Sequence, residues 1–507
     1  MNFDFVFSRK ILFFIVILTG LVAFFHRLDE APLSGDGIGY GQIAKEMTLT
    51  GDWATPYHDG VPSFYTSKPP LVYWLMAASG SILGFDNFSV KLPTALLSLL
   101  SLVVLFLFLS KYYNPNIAFF SSIILIFTQQ YLHHARSVIT DGPLAAFFIF
   151  AFVSFWIART EDKSSLYYVM SVFIGLAVMT KQVFGLFIGM IIFCYIILAR
   201  DWKILKNIHF WLSFLLIPVI VLPWHIAMYK KFGMKFINEY FLSTVSNVNG
   251  WNGQKYSIFY EWYVYSQILV NNYWPWLPFL LYGFYRKIRN MVEKLKPAAQ
   301  PDTAPEHDMT KTARTLNCRD DKSFDNEQAR DIFILCWIFV PLFVLQMMTK
   351  KNGNYLNILY PAFAVVCAEV FNSFSQKTVQ KIIKIFIVVS TAASLLFISF
   401  PVVPKTIDAQ KLTDPVKLIP TIKYVLKPDK KIVIRETDWF VFSSMFLFYA
   451  DRGNITLSDE DFEKKILSGE KNYFASYKDD FMNGLLNKYN DKITVWQITD
   501  KTILFEN

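Results

Sequence analysis

The sequence predicts a polytopic α-helical membrane protein that ends in a small α/β domain. Hydrophobic residues make up 54% of the 507 positions, and aromatic residues make up 18%. Apolar runs recur along the chain and approach the roughly 20 residues that a bilayer crossing needs. After Pro401 the composition becomes more polar and such runs stop. We therefore expect a transmembrane domain over residues 1–401 and a soluble domain over residues 402–507.

The apolar runs predict about 11–13 transmembrane helices. The first run follows Arg9 and Lys10 and resembles a signal peptide, but no convincing small-x-small cleavage site follows it. We therefore expect it to be retained as the first helix. The candidate spans cover residues 10–27, 90–110, 116–132, 142–158, 166–180, 183–199, 208–228, 264–284, 331–348, 355–373 and 381–400.

The basic residues indicate the orientation of these spans. The formal net charge is +9, which also occurs in proteins that bind nucleic acid. Here the basic residues lie mostly in short loops between apolar runs, as the positive-inside bias produces, so we expect no nucleic-acid partner. If Arg9 and Lys10 are cytoplasmic, the alternating loops place a consistent basic set on that side: Lys111, Arg159, Lys163, Arg200, Lys203, Lys206, Arg286, Lys287, Arg289, Lys377 and Lys381.

This orientation places the loop over residues 28–89 and the whole C-terminus on the extracytoplasmic side of the plasma (inner) membrane. Within the loop, Gly39 to Leu49 and Leu71 to Leu83 suit helices that lie on a membrane surface. The segment 285–330 is basic at first and then rich in Ala, Pro, Asp and Thr, without apolar periodicity. Because such a segment buries too little surface to fold alone, we expect a flexible cytoplasmic linker.

Strands and helices alternate in the C-terminal region, which predicts a small α/β layer domain. No glycine-rich phosphate loop occurs in it, so nucleotide binding there is not expected. The predicted strands are Lys431 to Arg435, Tyr473 to Tyr477, Ile493 to Ile498 and Thr502 to Phe505, and the predicted helices are Trp439 to Tyr449, Asp459 to Leu467 and Phe481 to Tyr489.

Two aspartates on the extracytoplasmic side are the candidate catalytic residues. Asp36 lies between Gly35 and Gly37, where the backbone turns tightly and a ligand can approach closely. A carboxylate there is suited to act as a general base toward an acceptor hydroxyl or amine. Asp141 precedes Gly-Pro at the start of an apolar helix. For both residues the alternative is a turn or helix cap, a common use of aspartate.

Four basic residues on the same side are candidates to bind a phosphate. Lys68, before two prolines, would act as a point charge, the alternative being a lysine that snorkels at the interface. Lys181 and Lys351 lie where the positive-inside bias does not favour lysine, so each is a functional candidate, again with snorkelling as the alternative. Arg136 would contact an anion or orient Asp141.

Aromatic residues of the first loop are candidates to pack on a sugar, and the sequence requires no metal or other cofactor. Tyr65 and Tyr73 are the candidates, the alternative being interfacial anchors. Neither the four cysteines nor the adjacent His133 and His134 show metal-ligand spacing, and the cysteines do not indicate a disulfide framework.

The motifs of the chain taken together resemble the membrane glycosyltransferases of the GT-C class. The resemblance extends over roughly residues 10–400 and is greatest for the aminoarabinose transferases of lipid A and their protein O-mannosyltransferase-like relatives. It is carried by Asp36 and Tyr40 followed by A-K-E-M, G-D-W-A-T-P, K-P-P-L-V-Y-W-L and K-L-P-T-A-L, and then by A-R-S-V-I-T-D-G-P-L, M-T-K-Q-V, L-P-W-H-I-A-M, W-P-W and K-N-G-N-Y-L-N-I-L-Y-P-A-F-A.

The resemblance implies a polyprenyl-phosphate sugar donor and an inverting transfer to an extracytoplasmic acceptor, which is lipid A, another glycolipid or a protein. It makes Asp36 the catalytic aspartate and Asp141 the acidic residue of the second loop. It also implies donor-phosphate contacts for Lys68 and Lys181, and it adds Tyr40 to the substrate-binding candidates.

Two departures from the family pattern stand out. Gly37 and Gly39 occupy positions where the family often has Glu and Arg, and residues 245–249 replace a His-x-x-Arg-Phe motif of the aminoarabinose transferases. A protein O-mannosyltransferase-like enzyme is therefore an alternative. A polytopic lipid or solute transporter is a second alternative, although the polar residues are concentrated in loops on one side and no internal repeat is evident.

Overall fold

The computed structural model describes residues 7–33, 35–64, 68–249, 263–295, 326–348, 351–399, 415–427, 430–436 and 439–507. Most of these residues are helical. The helices up to residue 232 are α1 (Arg9–Phe25), α2 (Asp36–Thr50), α3 (Leu71–Leu83), α4 (Asn87–Tyr112), α5 (Pro115–Ile126), α6 (Gln129–Ala135), α7 (Asp141–Thr160), α8 (Ser165–Lys181), α9 (Phe187–Leu198), α10 (Trp202–Lys206), α11 (Ile208–Ser213) and α12 (Leu216–Phe232).

The remaining helices belong to the helical bundle and to the C-terminal domain. A 3-10 turn, Gln182–Leu186, joins α8 to α9, and a second, Gly353–Ile358, precedes the helix that begins at Tyr360. The helices are α13 (Met234–Asn249), α14 (Val264–Tyr273), α15 (Leu277–Leu295), α16 (Asn326–Met347), α17 (Tyr360–Asn372), α18 (Gln376–Ser399), α19 (Ile419–Val425), α20 (Trp439–Met445), α21 (Asp459–Ile466) and α22 (Asp480–Lys488).

All eleven predicted spans coincide with helices, which confirms a polytopic membrane protein, but not every span is a single long helix. Within the described residues, six helical runs are long and apolar enough to cross a bilayer: Asn87–Tyr112, Asp141–Thr160, Ser165–Leu198, Ile208–Phe232, Asn326–Met347 and Gln376–Leu396. The predicted spans 116–132, 208–228 and 264–284 are each divided into two helices, and 355–373 contains an α-helix of only 13 residues.

α7 and α8 form an antiparallel pair that places two candidate residues at the same end of the bundle. α7 begins at Asp141 with Pro143 in its first turn, where proline suits a helix start. A short connection after Thr160 leads into α8, which ends at Lys181. Helices packed side by side within a bilayer gain stability mainly from close van der Waals contact. An example is the contact of α7 with α16, in which the ring centroids of Phe152 and Trp337 are 4.6 Å apart.

The opposite end of the bundle holds the basic residues that the sequence assigned to the cytoplasm. Arg159 pairs with Asp201 at 2.5 Å, and Lys111 pairs with Glu161. Lys287 is buried and contacts Asp331 and Glu369, the latter at 2.5 Å. These cations therefore lie at the far end from Asp141 and Lys181, as the loop alternation predicts.

The predicted linker over residues 285–330 is helical at both of its ends. α15 continues to Leu295 and α16 begins at Asn326, while residues 296–325 lie outside the described residues. The prediction missed the helical spacing of Ile288, Val292 and Leu295, which extends the apolar face of α15 beyond its basic residues.

The C-terminal region contains a five-stranded mixed sheet, which confirms the predicted α/β class. A hairpin of the first loop supplies β1 (Tyr57–His58) and β2 (Val61–Pro62), and the strands of the sheet are β3 (Ile432–Arg435), β4 (Asn454–Leu457), β5 (Tyr473–Tyr477), β6 (Thr494–Ile498) and β7 (Thr502–Glu506). The sheet order is β4-β3-β5-β7-β6, with β3 parallel to β4 and β5, and with β7 antiparallel to β5 and β6. The prediction missed the short strand β4 and the helix α19.

One hydrophobic core joins the C-terminal domain to the first loop. Ile38, Ile43 and Met47 of α2 are buried in a single cluster with Phe442 and Phe446 of the domain. The predicted boundary at residues 401–402 falls within 400–414, outside the described residues. Because α2 and the C-terminal domain share a core, the domain lies at the end of the bundle that carries Asp36.

Candidate active site

Asp36 is the first residue of α2 and its carboxylate is exposed. Gly35 precedes it with a φ of +52°, a conformation that favours glycine. A carboxylate in the first turn interacts favourably with the helix dipole, which accounts for part of the preference for Asp here. The N-cap of α2 is Gly35, so the Asp36 side chain makes no capping hydrogen bond. Asp36 is thus open to a ligand at the start of α2.

Close packing explains one of the departures from the family pattern. A Cβ atom added at Gly37 would lie 2.9 Å from the carbonyl oxygen of Val138, because α2 runs directly against the segment before Asp141. The glutamate that the family often has at this position would not fit without a shift of that backbone. At Gly39 the nearest atom is Ser444 Oγ of the C-terminal domain, at 3.8 Å.

Tyr40 and Tyr73 form the buried wall beside Asp36. Their rings are 5.5 Å apart and edge-to-face. Burial raises the pKa of Tyr40 well above its ordinary value, and the negative charges of Asp36 and Asp141 raise it further. The Tyr73 hydroxyl accepts a hydrogen bond from the backbone N–H of Lys68 at 2.8 Å, which fixes the half-buried Lys68 beside this wall.

Asp141 and Lys181 form a buried ion pair. Lys181 Nζ lies 2.6 Å from Asp141 Oδ1, and the two residues are 8% and 4% exposed. The ammonium also lies over the rings of Phe184 and Tyr355, at 5.1 and 4.9 Å from their centroids. The Lys181 ammonium therefore contacts one carboxylate and two aromatic rings.

The 3-10 turn Gly353–Ile358 supplies polar residues that the sequence analysis did not select. Asn357 Nδ2 donates to the backbone carbonyl of Asp141 at 2.8 Å, and Asn354 Oδ1 lies 3.2 Å from His134 Nε2. Close packing of α6 on α7 supports this arrangement, since a Cβ at Gly142 would lie 2.8 Å from the His134 carbonyl oxygen. The turn thus fixes the start of α7, where Asp141 lies.

Tyr355 lies beside the buried pair of Asp141 and Lys181, with its ring centroid 4.9 Å from the Lys181 ammonium. The sequence analysis missed Tyr355 as a site residue, although it lies in the K-N-G-N-Y-L-N motif. The available signal was the density of asparagine in a turn between two apolar helices, which does not tell which side chain faces the site.

Two of the four basic candidates donate hydrogen bonds to backbone carbonyls at helix ends. The Arg136 guanidinium donates to the carbonyls of Ala23 and His26, each at 2.7 Å, at the C-terminus of α1. Lys351 donates to the carbonyls of Gln346 and Met348 at the end of α16, at 2.5 and 2.6 Å. Cations suit this position because terminal carbonyls carry partial negative charge. Their predicted contact with a phosphate stays a prediction.

The remaining predictions concern the sugar contact of Tyr65 and the metal. Tyr65 lies outside the described residues, so its predicted sugar contact stays a prediction. Where the chain is described, no group of three or more His, Cys, Asp and Glu residues is arranged to hold a metal ion. The arrangement as a whole brings together an exposed carboxylate, a second carboxylate paired with a lysine, and three tyrosines.

Sequence comparison finds relatives of this chain among membrane sugar transferases. The family model described as dolichyl-phosphate-mannose-protein mannosyltransferase matches residues 67–226. An undecaprenyl phosphate-alpha-4-amino-4-deoxy-L-arabinose arabinosyl transferase of Aeromonas hydrophila is 28% identical over 66% of this chain and 55% of its own length. A second such enzyme, of Proteus mirabilis, is 25% identical over 75% of this chain and 64% of its own length. The aligned part thus spans less than two thirds of either enzyme.

Structural comparison covers nearly the whole chain. The crystal structure of ArnT from Cupriavidus metallidurans bound to undecaprenyl phosphate matches with a TM-score of 0.71 at 15% identity, over 97% of both chains. The fold is therefore that of the GT-C class of multi-pass membrane glycosyltransferases, which confirms the predicted fold class. Within that class, the chain is similar to the aminoarabinose arabinosyl transferases, as the resemblance of its motifs predicts.

Proposed function

We propose that this protein transfers a sugar from a polyprenyl-phosphate donor to an extracytoplasmic acceptor, with inversion at the anomeric carbon. The observation that carries the proposal is that α2, which begins at Asp36, packs against the segment before Asp141, next to the buried pair of Asp141 and Lys181, at one end of an apolar helix bundle. A transfer in which a nucleophile displaces an anionic leaving group requires a base that the nucleophile can reach and a cation near the leaving group. The two arabinosyl transferases and the ArnT structure support the donor class.

In the proposed reaction, Asp36 accepts a proton from the acceptor hydroxyl or amine as that atom attacks the anomeric carbon of the sugar. The bond between the anomeric carbon and the phosphate oxygen breaks, and the polyprenyl phosphate leaves as an anion. Lys68, beside Tyr73, and Lys181, paired with Asp141, stabilise the negative charge that develops on the phosphate. No step requires a metal.

The favoured donor and acceptor are undecaprenyl phosphate-aminoarabinose and lipid A, and the direct test is reconstitution. Purified protein in detergent would receive this donor with lipid A, and separately with an envelope glycolipid or a serine- and threonine-rich peptide. Mass spectrometry would record the mass added to each acceptor. A pentosamine added to lipid A supports the favoured pair, and a sugar added only to the peptide supports the mannosyltransferase-like alternative. Donor consumption with no modified acceptor would contradict the transfer.

We further propose that the active site and the C-terminus lie outside the cytoplasm. The distribution of Lys and Arg along the loops supports this orientation. A cysteine at position 36 or 507 is expected to react with a membrane-impermeant maleimide in spheroplasts, whereas a cysteine at position 203 or 289 is expected to react only after lysis. Labelling of position 203 in intact spheroplasts, with position 36 protected, would reverse the orientation.

Lys68→Ala is expected to raise the donor KM by about tenfold, because it removes one charge-assisted contact with a phosphate at a half-buried site. Lys68→Arg keeps the charge and should retain part of the donor affinity. Donor titrations at fixed acceptor provide the measurement, with Lys478→Ala in the soluble domain as the control. An unchanged KM and turnover for Lys68→Ala would remove this lysine from the donor site.

A further inference from the structure

Tyr449 connects the C-terminal domain to the segment that precedes Asp36. Its hydroxyl accepts a hydrogen bond from the backbone N–H of Leu33 at 2.9 Å and donates one to Asn87 Oδ1 at 2.5 Å. The amide group of Asn87 donates in turn to the carbonyl of Asp29 at 2.8 Å. One hydroxyl of the soluble domain therefore fixes both the chain three residues before Asp36 and the start of α4.

Lys45 makes a second connection on the other side of Asp36. Lys45 is 8% exposed, and its ammonium donates to the carbonyls of Leu447 and Phe448 at 3.2 and 2.7 Å and pairs with Asp451 at 2.5 Å. These groups lie at the C-terminal end of the helical segment that α20 begins, where a cation is favourable. Lysine has three protons to donate, and these contacts use all of them.

The surface of α2 between these two connections is shaped for direct contact with the domain. A Cβ at Gly41 would lie 2.9 Å from Leu33 Cδ1 and 3.2 Å from Phe448 Cε2, so a side chain at this position would push the domain away. His58 of the adjoining hairpin lies 2.8 Å from Ser444 Oγ. The domain thus contacts the Asp36 segment before, along and after α2.

We propose that Tyr449 and Lys45 are positioning residues, through which the C-terminal domain sets the location of the Asp36 carboxylate relative to Asp141. This inference rests on the proposed role of Asp36 as general base. Asp36 itself is exposed and follows a glycine, so the local backbone provides little rigidity. A displacement of about 1 Å at a reacting group can cost about 100-fold in rate. The rigidity that catalysis needs is therefore supplied by the domain.

The test combines amide hydrogen exchange with steady-state kinetics of the full-length protein in detergent. Tyr449→Phe removes only the hydroxyl, and Lys45→Met removes the charge while keeping most of the stem. Both variants are expected to raise amide exchange in residues 35–50 by about tenfold, as the loss of a buried hydrogen bond permits. Both should lower kcat by about tenfold while the donor KM stays within about twofold. Lys45→Arg, which keeps the charge, should retain most of the turnover.

Tyr424→Phe is the matched control, since Tyr424 is in the same domain and is 87% exposed. It should leave both exchange and kcat unchanged. Unchanged exchange in residues 35–50 of Tyr449→Phe and Lys45→Met would overturn the inference whatever the enzyme does. Faster exchange with unchanged kcat would also overturn it, because the contacts would then be structural only. If the parent transfers no sugar, the failure lies with the proposed function, and the exchange result alone decides whether the domain holds α2.

Discussion

Asp36→Asn is expected to lower kcat by about 10²–10⁴-fold while the protein stays folded and binds donor, the range typical for the loss of a general base. The amide has the shape of the carboxylate but cannot take up a proton from the acceptor. Steady-state turnover with saturating donor and acceptor provides the measurement. Equilibrium binding of undecaprenyl phosphate to the same preparation would show that the site is intact.

The same substitution separates the catalytic role of Asp36 from a capping role. At the first position of α2 the carboxylate interacts with the helix dipole, which is typically worth about 0.3–1 kcal/mol of stability, so a residue with only that role would tolerate Asn without a large loss of turnover. Asp86→Asn is a matched control, because Asp86 caps α4 by accepting from the Ser89 backbone N–H at 2.8 Å. We expect Asp86→Asn to leave turnover within about twofold. A rate for Asp36→Asn within about threefold of the parent would contradict the assignment and make Asp141 the candidate base.

Helices and topology could be predicted from the sequence because they depend on local composition. Apolar runs of sufficient length predict where helices form, and alternation of loops then predicts which ends coincide. This reasoning placed Asp36, Asp141 and Lys181 at the same end, and the structure brings Asp141 and Lys181 within 2.6 Å. The strand β4 escaped prediction because four residues, Asn454–Leu457, are too short a run to identify a strand, and its stability comes from pairing with β3.

The partners of individual side chains could not be predicted in the same way. Charge distribution tells at which end of the bundle a cation lies, but not whether its partner is a ligand, a carboxylate or a helix end. Arg136 and Lys351 fit the pattern of phosphate-binding residues and yet contact terminal carbonyls. Tyr449 lies more than 400 residues from Leu33 in sequence, so no local pattern indicates their contact.

The buried pair of Asp141 and Lys181 predicts a large loss of stability when either partner is removed. Lys181→Met leaves the buried Asp141 carboxylate without its cation, and Asp141→Asn leaves the lysine without its anion. Each single change is expected to lower the free energy of unfolding by about 3–5 kcal/mol, because an uncompensated buried charge is costly. The double variant should lose less than the sum of the two single changes, since neither charge is then left unpaired.

The measurement is denaturant unfolding of all four proteins in the same detergent, with binding of undecaprenyl phosphate recorded in parallel. Lys111→Met is the control: its side chain is 58% exposed in the pair with Glu161, so a change of about 0–1 kcal/mol is expected. The proposed contact of Lys181 with the donor phosphate has a signature of its own, since Lys181→Met should also lose affinity for undecaprenyl phosphate. If Lys181→Met and Asp141→Asn both unfolded like the parent, the pair would contribute nothing to stability and the prediction would be wrong, whatever the donor affinity.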